Sequence, residues 1–105
     1  MNTNEQIRQI IYDAIATVNQ MLPRGRRLET SPDTVIVGES GKLDSLELVN
    51  FIVPLEEGIE RKFHEHITVV DILSEQDVWT VAAMADCLAA QVDAMATESS
   101  NDATA

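Results

Sequence analysis

Positive charge is scarce in this chain: seven Lys and Arg stand against 18 Asp and Glu over 105 residues, a formal charge of −11. A face that grips nucleic acid or an anionic membrane needs the opposite balance, so neither is expected as a partner. Such a chain attracts basic surfaces on other proteins instead. Cysteine is nearly absent. Cys87 stands alone, which excludes an intrachain disulfide and fits a reducing, cytoplasmic setting. No apolar run approaches the ~20 residues of a membrane span. The opening Met1-Asn2-Thr3-Asn4-Glu5 has neither a basic nor an apolar stretch, so no signal peptide is expected. Aromatics number four, and Tyr12, Phe51, Phe63 and Trp79 must share any core with aliphatic residues. There is no Gly-x-Ser-x-Gly elbow, Walker sequence or paired-Cys site. What remains is one small acidic domain, expected as a cytoplasmic monomer.

Apolar residues nonetheless make up 45% of the chain, and their spacing is helical. From Asn4, the residues Ile7, Ile10, Ile11, Ala14, Ile15, Val18 and Leu22 recur at i, i+3, i+4, with Thr3 or Asn4 as cap and Pro23 and Gly25 as stop. Residues 23–43 form a long connection, punctuated by Pro32, Gly38 and Gly41. Leu28 and Val35-Ile36-Val37 are apolar enough to pin it to the core. A short edge strand at 34–37 is the rival reading, but no strand partner is evident, so a tethered loop is expected.

A second helix is expected over roughly 45–63. Asp44-Ser45-Leu46-Glu47 has the form of a capping box, and Leu48, Phe51, Ile52, Leu55, Ile59 and Phe63 keep the helical period. Pro54 removes an N–H that the Asn50 carbonyl needs, so a bend is expected at 50–54; either it shapes the space between the second and last helices, or Pro54 is a tolerated substitution on a solvent-facing turn. A short apolar element follows within 67–77, and a last helix starts near Trp79-Thr80 with Val81, Met84, Ala85, Leu88 and Val92 inward. The fold class expected is all-α: a four-helix bundle with three main helices, one short helix and a long first loop. The domain spans 1–93, and 94–105 reads as a disordered tail with nothing to bury.

Ser45 is the candidate for chemistry. A serine at the first position of a helix sits among N–H groups without helical partners, at the positive end of the dipole, where an anionic ester of its hydroxyl is favoured. Asp44 beside it offers a carboxylate to a divalent ion during phosphoryl transfer. Asp-Ser-Leu-Glu is also how an ordinary helix begins, and on the tetrapeptide alone that is the plainer account. His64 and His66 flank Glu65, but i and i+2 on a helix do not converge, so no metal site is expected. Arg24, Arg26 and Arg27 read as a solvated loop that can pair with the acidic body, Cys87 as a buried small residue, and Trp79 as a core anchor.

The stretch Gly41-Lys42-Leu43-Asp44-Ser45-Leu46-Glu47-Leu48-Val49, followed by Ile52-Val53-Pro54-Leu55-Glu56-Glu57, resembles the prosthetic-group site and second helix of acyl carrier proteins. The order of elements over residues 4–93 resembles that family too. The resemblance implies a non-catalytic carrier with 4′-phosphopantetheine attached through a phosphodiester to Ser45, beside Asp44. A phosphopantetheinyl transferase would supply the arm from coenzyme A, with Mg²⁺ neutralising the phosphates. An acyl- or aminoacyl-loading ligase and downstream acyl-processing enzymes would be the other partners. It also implies a partner-reading surface: Leu46, Val49 and Val53 for contact, and Glu47, Glu56 and Glu57 for steering a basic patch. The alternative for the apolar three is that they widen the core face. Two residues separate Gly41 from Asp44, and this Gly-x-Leu-Asp-Ser form is more like D-alanyl and other stand-alone carriers of specialised pathways. Pro54 and the extra turn reaching Phe63 also depart from the family pattern. Two other readings compete with an acyl carrier. One is an aminoacyl or D-alanyl carrier, and the other, of a different class, is an unmodified acidic helical adaptor. A serine hydrolase using Ser45 with His64 or His66 lacks any sign of an oxyanion site.

Overall fold

The computed structural model describes residues 2–38 and 43–104, with side chains described as far as Met95. Gly41-Lys42, the start of the stretch that resembles a carrier site, lies outside the described residues. The first helix, α1, covers Thr3–Asn19 and buries Ile7, Ile11, Ala14, Ile15 and Val18 along one stripe. Its cap is Asn2 rather than Thr3 or Asn4, the Asn2 side-chain oxygen accepting from the Glu5 amide at 2.8 Å. At the far end the amides of Gln20, Met21 and Leu22 bond to carbonyls three residues back, a tightening that keeps Leu22 in the core.

The first loop is more ordered than a tether. Asn19 staples it by two bonds to the Leu28 backbone, its Nδ2 donating to the carbonyl at 2.9 Å and its Oδ1 accepting from the amide at 2.8 Å. A short 3-10 turn covers Arg24–Arg26. Val35–Val37 is a strand, β1, paired antiparallel with β2 (Trp79–Thr80), Val35 opposite Thr80 and Val37 opposite Trp79. This corrects the expectation of an unpaired loop and of a wholly α chain. The strand partner is the dipeptide read from sequence as the start of the last helix.

The second helix, α2, covers Ser45–Phe63 and remains one helix across Pro54. It ends where His64 takes a left-handed conformation (φ 58°) and donates its amide to the Glu60 carbonyl. Next comes α3, Val69–Leu73, then α4, Val81–Thr104, whose backbone continues through the segment expected as a tail. The start of α4 explains how the loop is held. Its first amides, on Val81 and Ala82, donate at 2.9 Å to the loop carbonyls of Thr34 and Pro32, and the Ala83 amide donates to Thr80 Oγ1 at 3.1 Å. Donors that every helix start leaves over are thus spent on fixing the connection.

Among the described residues the chain is mostly helical, with four helices and this small sheet. α1 lies against both α2 and α4. Phe51, Leu55 and Ile59 of α2 are fully buried, as are Met84 and Leu88 of α4. Trp79 is fully buried too, its indole N–H donating to the Leu73 carbonyl at 2.9 Å. Among the described residues no helix is long and apolar enough to cross a membrane.

Gly58 sets the closeness of α1 and α2. A Cβ placed there would lie 2.6 Å from Cγ2 of Ile10, well inside contact distance. Alanine gains about 1 kcal/mol of helix propensity over glycine, but overpacking costs about 1–3 kcal/mol. Gly58→Ala is therefore expected to destabilise the domain by roughly 1 kcal/mol. In an Ile10→Ala background, where that methyl is gone, the same change should stabilise by about 1 kcal/mol. Urea denaturation of the four chains checks the reversal of sign; a more stable Gly58→Ala in the otherwise unchanged chain contradicts the contact.

Candidate functional site

The start of α2 is closed by hydrogen bonds among its own residues. Asp44 is the N-cap, and its Oδ1 accepts from the Glu47 amide at 2.8 Å. Glu47 returns the bond, its Oε1 accepting from the Asp44 amide at 3.1 Å. The Asp44 carbonyl accepts from the Leu48 amide at 2.8 Å, the first bond of the helix ladder. The capping box expected from sequence is therefore present. It leaves the amides of Ser45 and Leu46 as the helix-start donors nearest the Ser45 side chain, and Ser45 itself is exposed. A primary hydroxyl in the open at the positive end of a 19-residue helix is placed to carry an anionic ester.

The apolar residues around Ser45 do not widen the core. Leu46 is 71% exposed, Val49 51% and Val53 48%. On a helix turning ~100° per residue they occupy one strip running on from Ser45, and the buried Phe51 and Leu55 face the other way, with Ile52 and Ile59 at the border of the two faces.

The three carboxylates are placed differently from one another. Glu47, with its side chain 17% exposed, closes the capping box and pairs with Arg26 from the first loop. Glu56 reaches across to α3, where its Oε2 accepts from the Val69 amide at 2.8 Å. It thus serves the short helix as a cap that Thr68 does not provide. Glu57 is exposed and stands on the wall of a cleft of about 360 Å³ between α1 and α2. Ile10, Ala14, Pro54, Gly58, Arg61 and Lys62 also line that cleft. Pro54 and Gly58 therefore face α1, and not the space between the second and last helices as expected. Nine residues at ~100° each put Pro54 about half a turn around the helix from Ser45, so the cleft and the hydroxyl open on opposite sides.

The remaining candidates stay apart. His66 Nδ1 lies 3.8 Å from a Glu60 carboxylate oxygen with both side chains exposed, and His64 serves to end α2. Among the described residues no group of three or more His, Cys, Asp or Glu gathers as metal ligands do. Cys87 is half-buried in α4, and burial, with a smaller push from Glu75, raises its thiol above the ordinary value. That leaves little thiolate at neutral pH. Sequence reasoning undervalued Arg26, and only the folded loop shows why: nothing in Arg24-Gly25-Arg26-Arg27 marks which guanidinium reaches a carboxylate 21 residues on.

No family model, no curated protein and no solved structure matches the chain.

Proposed function

We propose that this protein is a non-catalytic acyl carrier, with 4′-phosphopantetheine attached at Ser45, and we read its helices as the carrier's four-helix bundle, with a strand of the first loop paired to the dipeptide before α4. The observation that carries the reading is the exposed Ser45 hydroxyl on the first residue of α2, behind a closed capping box and beside an exposed apolar strip. The residues present suit the group. An accessible hydroxyl can take the phosphodiester, and the Ser45 and Leu46 amides can donate to its oxygens.

In the attachment reaction Ser45 Oγ bonds to the pantetheine-bearing phosphorus of coenzyme A. The phosphoanhydride bond breaks, adenosine 3′,5′-bisphosphate leaves, and the hydroxyl proton passes to a base of the phosphopantetheinyl transferase. Asp44, the residue before it, would offer an oxygen to the Mg²⁺ that accompanies the diphosphate. When bound, the arm supplies a terminal thiol that holds acyl groups as thioesters for partner enzymes. The chain's own part is then to present and to be recognised. Its charge of −11 steers basic partner surfaces toward it, and Leu46, Val49 and Val53 supply contact after encounter. Glu57 adds to the steering field, as do Glu47 and Glu56 through the charge left by their internal partners.

Attachment itself is the test: a transferase active on another carrier should modify the wild-type chain and leave Ser45→Ala unmodified. The recognition face has its own. Val49→Asp should leave stability within about 0.5 kcal/mol, as an exposed position allows, and raise the KM of a loading or transfer enzyme by roughly fivefold or more. A large loss of thermal stability in Val49→Asp, or an unchanged KM, counts against Val49 as a contact residue.

A further inference from the structure

The start of α2 is held from outside the helix. The Arg26 guanidinium donates to Glu47 Oε1, the same oxygen that accepts from the Asp44 amide. Asp44 in turn caps the helix on which Ser45 is the first residue. Arg26 belongs to a short 3-10 turn whose place is fixed on either side. Its own amide donates to the Pro23 carbonyl at 2.9 Å, and the following Leu28 is buried and bonded both ways to Asn19. A connected path therefore runs from the end of α1, through the loop, to the residue beside Ser45. The pair is also placed to matter electrostatically. Without Arg26, the Glu47 carboxylate would lose the cation paired with it, close to a hydroxyl that must meet a diphosphate.

We propose that Arg26 is a positioning residue for Ser45: acting through Glu47, it holds the capping box closed and so fixes how the hydroxyl is presented for modification. This rests on the reading of Ser45 as the attachment site. Its effect passes through the Glu47 carboxylate that it holds. A half-exposed ion pair of this kind sets a modest effect, not an all-or-none one.

The test is a double-mutant cycle on the full chain with Arg26→Ala, Glu47→Gln and the pair together. Glutamine keeps an oxygen for the Asp44 amide but gives up the charge that Arg26 holds. The first readout, independent of any enzyme, is hydrogen exchange at the Asp44 amide by NMR, which should quicken in Arg26→Ala. The second is kinetics with an active phosphopantetheinyl transferase and coenzyme A. Each single variant should lose roughly three- to fivefold in kcat, with KM little changed in Arg26→Ala, and the double variant should lose no more kcat than either single. Arg26→Lys, which keeps the charge without the planar fork, should recover part of the loss. Losses that multiply in the double variant, or a loss confined to KM, would mean that Arg26 touches the transferase directly and would overturn the proposal. Wild-type exchange and wild-type kinetics in Arg26→Ala overturn it as well. A wild-type chain that is never modified overturns the attachment reading and this proposal with it, whereas modification with unaffected variants overturns this proposal alone.

Discussion

Trp79→Ala is expected to cost about 3–5 kcal/mol of stability, the range for removing a buried large aromatic. The residue is fully enclosed, and it is the largest buried side chain in a core with few other aromatics. Three losses coincide there. The ring's contacts vanish and leave a void, since the surrounding aliphatics relax only in part. The Leu73 carbonyl at the end of α3 loses the indole N–H that it accepts at 2.9 Å. β2, of which Trp79 is half, loses the side chain that seats it, and the pairing to Val37 and Val35 is weakened with it. For a domain of this size the midpoint should fall by ~15–30 °C, which brings the variant close to unfolding at growth temperature. Trp79→Phe keeps much of the volume but loses the donor and part of the ring, so it should cost less than Trp79→Ala, with about 1–3 kcal/mol from the buried acceptor left without a partner. Thermal and urea denaturation separate the two. A Trp79→Ala chain within 1 kcal/mol of the wild type would show that the core does not depend on this ring.

What could be read from sequence followed the strength of the local signal. The stripes of α1 and α2 were legible because their apolar residues repeat over four or more turns, and such a pattern has few competing explanations. The capping box at Asp44 and Glu47 was legible because both members lie within one turn of each other. The strand pair was not. Its two members are separated by more than 40 residues, one of them is only two residues long, and Trp79-Thr80 abuts a helical pattern that absorbs it. Residue type alone likewise hides which carboxylates are committed internally. Glu56 and Glu57 are neighbours of the same kind, yet the helix turns one toward the Val69 amide and the other toward the α1–α2 cleft. The apolar strip Leu46, Val49 and Val53 could not be assigned to core or surface beforehand, because a helix this rich in apolar residues satisfies both patterns until its neighbours are placed. Pro54 is the same kind of case. Its effect on the Asn50 carbonyl follows from chemistry, whereas the helix it faces follows only from the packing.

The larger functional prediction is all-or-none, and it is also the most direct test of the carrier reading. Ser45 Oγ is the one atom through which the proposed arm can join the chain at this site, so replacing it with hydrogen removes the nucleophile while touching nothing in the core. Ser45 is exposed, and its amide, not its side chain, belongs to the helix start, so Ser45→Ala should change stability by no more than about 0.5 kcal/mol. The measurement is the intact mass of the full chain after co-expression with a broad-specificity phosphopantetheinyl transferase, its activity shown in parallel on another carrier. The account predicts that the wild-type chain gains the mass of one phosphopantetheine, that the gain maps to the peptide containing Ser45, and that folded Ser45→Ala gains nothing. A wild-type chain that stays unmodified beside a modified control, or a Ser45→Ala chain that is modified as fully as the wild type, would contradict it.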